Sequence, residues 1–137
     1  MERELRAGTA EQFDLLVLDA FSGDAIPVHL LTRESLALYV RQLRPGGIIA
    51  VHISNRHLDL RPVVVGLAED AGLHYALIHD TVKKEHWWLY DTDWVLLSNS
   101  TEILQHDSIR TAAHFLPDEA PRFIWTDEHA SLLSALK

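Results

Sequence analysis

The sequence predicts one α/β domain on a mostly parallel sheet that closes with an antiparallel hairpin. Three observations point there. Two short apolar runs, FDLLVLDA (13–20) and GIIAVHIS (47–54), read as strands buried on both faces. A stretch of helical periodicity follows each of them, at 32–43 and at 61–71. Two further strand-like runs, HYALIHD (74–80) and DWVLLSN (93–99), come with no helix recognisable between them. Strands alternating with helices imply parallel neighbours joined by right-handed crossovers, and the final pair implies the hairpin.

The elements are justified in order. Residues 2–10 read as a helix end stopped by Gly8 and Thr9. In TRESLALYVRQL (32–43), Thr32 is a helix cap and Glu34 an acid in the first turn. Leu36, Leu38, Tyr39, Val40 and Leu43 share one broad apolar face, and Pro45-Gly46-Gly47 ends it. Pro62 suits the first turn of the helix at 61–71, which Gly72 closes. The segment between the last two strands, through 81–92, fits either a long hairpin loop or an extension of both. In the tail, a short helix is expected near 108–115, an extended piece at RFIW (122–125) and a helix at 127–136.

Bulk properties narrow the function. The 137 residues suit a single domain spanning 1–137, long enough to bury roughly 68% of the unfolded surface. Hydrophobic residues make up 47%, with no repeat or low-complexity block. Twenty acidic against twelve basic residues give a net charge of −8, and no basic stripe suits nucleic acid. Lys83-Lys84 is cut short by Glu85. Absence of cysteine excludes disulfides and thiolate metal sites. No apolar run approaches the roughly 18 residues of a membrane span, and MERELRAGTAEQ lacks a signal-peptide core, so a cytoplasmic location is expected.

This element order is that of the second half of a methyltransferase-type Rossmann sheet. FDLLVLDAFSGDAIPVHLLTRESL (13–36), LRPGGIIAVHISNRHLDL (43–60) and WTDEHASLL (125–133) resemble the spermidine synthase-like family, and in particular its bacterial branch often fused to membrane segments. The resemblance runs from about residue 11 to the C-terminus. It implies an aminopropyltransferase of polyamine biosynthesis. An amine such as putrescine would attack the methylene beside the sulfonium of decarboxylated S-adenosylmethionine. The family's catalytic aspartate falls on Asp19. The family pattern Asp-Ser-Ser-Asp-Pro places its second acid where this chain has Ser22, with Asp24 two residues further on. Ser22 and Asp24 are therefore the candidates for binding the amine.

Elementary chemistry supports Asp19 separately. In open α/β sheets, ligands sit beyond the carboxyl ends of the strands. An alkylamine, with a pKa near lysine's value of about 10.4, arrives protonated. A carboxylate there can hold the ammonium and later accept its proton. Asn55, Arg56 and His57 follow the next strand and face the same crevice, where Asn55 either contacts substrate or turns the chain.

The family's nucleotide-binding half, with its glycine-rich turn, has no counterpart here: no G-x-G-x-x-G occurs. The chain alone is therefore expected to be inactive and to bind no cofactor by itself. S-adenosylmethionine or its decarboxylated form would bind in a full-length protein. Strand 13–19 becomes a sheet edge, so a homodimer through antiparallel pairing of that edge is expected. A methyltransferase of the same fold and a non-catalytic oligomerisation or binding domain remain alternatives.

Other residues carry plainer readings. The nine histidines show no H-E-x-x-H spacing, so no metal is expected, and His52 reads as a packed strand residue. Trp87, Trp88, Tyr90 and Trp94 read as core or interface anchors rather than a cation cage. Asp127 and Glu128 read as the acidic start of a helix.

Overall fold

A computed structural model describes residues 11–19, 27–81 and 90–137. The helix expected at 2–10, the loop holding Ser22 and Asp24, and Trp87 and Trp88 lie outside these residues. The fold is α/β. Strand β1 (Phe13–Leu18) leads through a single turn of tight helix at Val28–Leu30 to α1 (Arg33–Gln42) and β2 (Leu43–His52). Next come α2 (Arg61–Asp70), β3 (His74–Asp80) and β4 (Thr92–Ser98). Two one-turn helices, α3 (Thr101–Leu104) and α4 (Asp107–Arg110), precede a two-residue β5 (Ala113–His114).

The five strands form one mixed sheet in the order β1-β2-β4-β3-β5. Only β1 and β2 pair in parallel, whereas β2–β4, β3–β4 and β3–β5 are antiparallel. The expected mostly parallel sheet is thus corrected to a mostly antiparallel one. The hairpin was anticipated, and its second strand, β4, lies between β2 and β3. This separates two strands that run in the same direction.

Register divides the sheet into two faces. Leu16 pairs with Ile49 and Ile49 with Leu97, while Leu18, Val51, Val95 and Leu77 form the next row. Those rows join Leu36 and Tyr39 of α1 and Val63, Val64 and Leu67 of α2 in the core. The opposite face of β1 is open: Leu15 and Val17 are 53% and 51% exposed, and Phe13 is also exposed. Strand β1 is therefore buried on one face only, correcting the reading of a doubly buried strand. It lies at the sheet edge, with no second neighbour among the described strands to carry a covering layer on that side.

Local signals account for the helices. The Thr32 hydroxyl caps α1 by accepting from Ser35 N at 3.2 Å. Pro62 lies in the first turn of α2. Gly72, at φ +67°, closes α2 with paired bonds from Gly72 N to Glu69 O and Leu73 N to Ala68 O. The Pro45-Gly46-Gly47 step behaves otherwise than expected: Leu43 ends α1, and the step belongs to an irregular start of β2 opposite Phe13–Leu15. Gly46 there takes φ +75°, and a Cβ on Gly47 would stand 2.8 Å from Phe13 O.

The tail departs most from expectation. Residues 127–136 are not one helix, and only Leu132–Ala135 makes a tight helical turn. Thr32 donates its hydroxyl to Asp127 Oδ1 at 2.7 Å, and Asp127 N donates to Glu34 Oε2. Asp127 is thereby drawn to the start of α1 and does not start a helix of its own. Trp125 is buried beside it, its carbonyl accepting from Arg33 N, while 122–125 takes no regular strand pairing. The helix expected at 108–115 is shortened to Asp107–Arg110, and Ala113–His114 pair as β5. Among the described residues, no helix is long and apolar enough to cross a membrane.

Candidate functional site

Parallel pairing brings two functional groups together. Leu18 stands beside Val51, so the next residues along, Asp19 and His52, emerge side by side at the carboxyl ends of β1 and β2. This is the end of an open α/β sheet where ligands bind. His52 Nδ1 lies 2.7 Å from Asp19 Oδ1, and His52 Nε2 lies 2.7 Å from Ser54 Oγ. Asp93 N donates to the same Ser54 oxygen at 2.8 Å. The ring of Trp94 stacks on the imidazole at 4.7 Å between centroids, with the planes 24° apart. The His52 side chain is mostly covered, whereas the Asp19 carboxylate is 54% exposed.

The arrangement has an evident electrostatic character. Asp19 is an exposed carboxylate with one oxygen fixed in place, able to accept hydrogen bonds from a cation. Asn55, Ser54, Arg56, Tyr90, Asp91 and Asp93 line an adjoining cavity of about 350 Å³. Asn55 is committed in part to the loop: its Oδ1 accepts from His57 N at 2.9 Å and Leu58 N at 2.8 Å. This is the chain-turning role its residue type favours. Tyr90 is exposed, and Trp94 belongs to the His52 stack, so the aromatic group divides between two roles.

A second histidine–aspartate pair lies on the hairpin, with His79 Nδ1 2.6 Å from Asp93 Oδ1. It borders a separate cavity of about 340 Å³ that Asp59, Arg61, His114 and Lys137 also line. Arg61 holds Asp59 with two parallel bonds of 2.8 Å. Burial pushes the Asp59 carboxyl up, but the Arg61 side chain, the Arg61 backbone N–H and the nearby positive charges outweigh it. The net result lies below the usual carboxylate range. The bond from Asp59 correspondingly raises the Arg61 guanidinium, against burial.

Asp19 and Asn55 thus stand at the same end of the sheet, and Ser22 and Asp24 lie outside the described residues. Sequence reading missed His52 and Ser54 as members of the site. The available signal was that the two apolar runs end on Asp19 and His52, which parallel pairing would bring level. Among the described residues, no group of three or more His, Asp or Glu side chains could hold a metal ion. Comparison with protein-family models gives no match, and no match is found among curated proteins.

Proposed function

We propose that this chain is the amine-binding, C-terminal part of a spermidine synthase-like transferase domain. The observation that carries this reading is Asp19, exposed at the carboxyl end of the parallel β1–β2 pair and fixed by His52. The strand order supports it: β1, β2 and β3 run in one direction, with β4 reversed between β2 and β3. On this reading, β1, β2, β4 and β3 correspond to the second half of a methyltransferase-type Rossmann sheet, with β5 added outside β3.

In the reaction, a neutral amine such as putrescine forms a nitrogen–carbon bond to the aminopropyl group of decarboxylated S-adenosylmethionine. The carbon–sulfur bond breaks with its electron pair left on sulfur, and the proton released from nitrogen passes to the Asp19 carboxylate. Asp19 also holds the amine in line beforehand. The nucleoside half of the co-substrate binds outside the elements described above.

Product analysis on the full-length protein tests the reading. Putrescine-dependent release of methylthioadenosine, abolished in Asp19→Asn, is the expected result. Release of S-adenosylhomocysteine would replace it with a methyltransferase. Absence of both products would favour a non-catalytic binding domain. A homodimer belongs to the same proposal, favoured by the place of β1 at the end of the described sheet and by the half-exposed Leu15 and Val17 on its outer face.

A further inference from the structure

We propose that His52 is the positioning residue for Asp19, holding the carboxylate toward a primary alkylammonium as a neutral imidazole protonated on Nδ1. The inference rests on the reading of Asp19 as the amine-binding group and adds the residue that fixes its geometry and net charge. A carboxylate offers only lone pairs, so the 2.7 Å contact with Asp19 Oδ1 requires a hydrogen on Nδ1. The other nitrogen faces Ser54 Oγ at 2.7 Å. Ser54 Oγ accepts the Asp93 N–H and keeps its own hydroxyl proton, which it can donate into Nε2.

In a neutral ring, a hydrogen on Nδ1 leaves Nε2 to accept, so both contacts are made by a single tautomer. A ring in that state adds no charge, so the Asp19–His52 pair retains a full negative charge for an incoming cation. An imidazolium would cancel it. Trp94, stacked on the ring, sets the plane in which Nδ1 points at Asp19. Asp93 ties the assembly to the hairpin twice, through Ser54 and through Ile53 N, which donates to Asp93 O at 2.8 Å. The carboxylate is thus aimed from the neighbouring strands.

Nitrogen NMR of the histidine rings in the intact chain, at mildly alkaline pH, tests the tautomer directly. His52 is expected to carry its proton on Nδ1, and Asp19→Ala to release that preference. A ring protonated on Nε2, or on both nitrogens, overturns the positioning role and leaves the amine reading intact. Calorimetric titration with putrescine tests the consequence. His52→Phe, which keeps the stack and loses the bonds, is expected to weaken binding about tenfold. His52→Asn, whose amide nitrogen can stand in for Nδ1, is expected to recover most of it. Equal binding by wild type and His52→Phe overturns the inference. Failure of the wild type to bind putrescine overturns the amine reading, and the ligand assigned here with it.

Discussion

His52 Nδ1 stands 2.7 Å from the Asp19 carboxylate, across the only parallel pairing among the described strands. The Asp19 side chain is half exposed, and exposed ion pairs contribute little to folding. Asp19→Ala is therefore expected to change unfolding free energy by no more than about 0.5 kcal/mol. A double-mutant cycle with His52→Ala is expected to give a coupling below about 1 kcal/mol, measured by urea unfolding. Coupling above about 2 kcal/mol would make the pair a structural clamp instead of a site. Small coupling beside a large effect on amine binding is the signature of a pair arranged for ligand.

Asp59 behaves in the opposite manner, because Arg61 holds it by two bonds. Its carboxyl lies below the usual range in the folded protein. A lowered carboxylate stabilises the fold above its unfolded pKa of about 3.9, and that contribution is lost as pH falls through the lower folded value. Carboxyl NMR is expected to show Asp59 titrating below ordinary aspartate, and Arg61→Ala to move it upward as burial then acts with less opposition. The stability gap between wild type and Arg61→Ala should be widest near neutral pH and narrow in acid. A gap independent of pH would count against the ion pair.

The elements easiest to read were those whose signals are local. Thr32 and the apolar spacing of 33–42 mark α1, and HYALIHD coincides with β3. Position in the sheet was harder, since adjacency in a hairpin does not say which strand lies on the inside. The tail failed for a related reason. Residues 127–136 have helical periodicity, but Asp127 is captured by Thr32 from 95 positions away. A long-range bond of this kind leaves no trace in local propensity. At the candidate site, the place of Asp19 at the carboxyl end of β1 was legible from the apolar run that precedes it. His52 was not, because a histidine inside an apolar run reads as packing until its parallel neighbour is known.

The position of β1 in the sheet carries a prediction about assembly. It has no second neighbour among the described strands, Leu15 and Val17 are half exposed on its outer face, and unpaired strand edges recruit further strands. Sedimentation equilibrium is expected to show a dimer at micromolar concentration. Val17→Lys should dissociate it, since charge on an edge strand opposes pairing. A stable wild-type monomer under those conditions would refute edge pairing. A dimer unaffected by Val17→Lys would place the interface elsewhere.

Gly66 tests how the tail holds the helix behind the site. It is buried in the middle of α2, where glycine ordinarily weakens a helix by about 1 kcal/mol relative to alanine. Propensity alone therefore predicts that Gly66→Ala stabilises. A Cβ at this position, however, would stand 2.6 Å from Phe123 O and 3.0 Å from Phe123 N. Both are backbone atoms of the segment that crosses α2, where Phe123 N also donates to Pro62 O at 3.1 Å. They cannot move aside as the end of a flexible side chain could. Steric conflict should win, and Gly66→Ala is expected to destabilise by about 1–3 kcal/mol in urea unfolding. The displaced segment leads directly to Trp125, whose carbonyl accepts from Arg33 N at the start of α1. Weakened protection of Arg33 N in hydrogen exchange would therefore accompany the loss, and a stabilised variant with unchanged protection would show that the crossing segment yields.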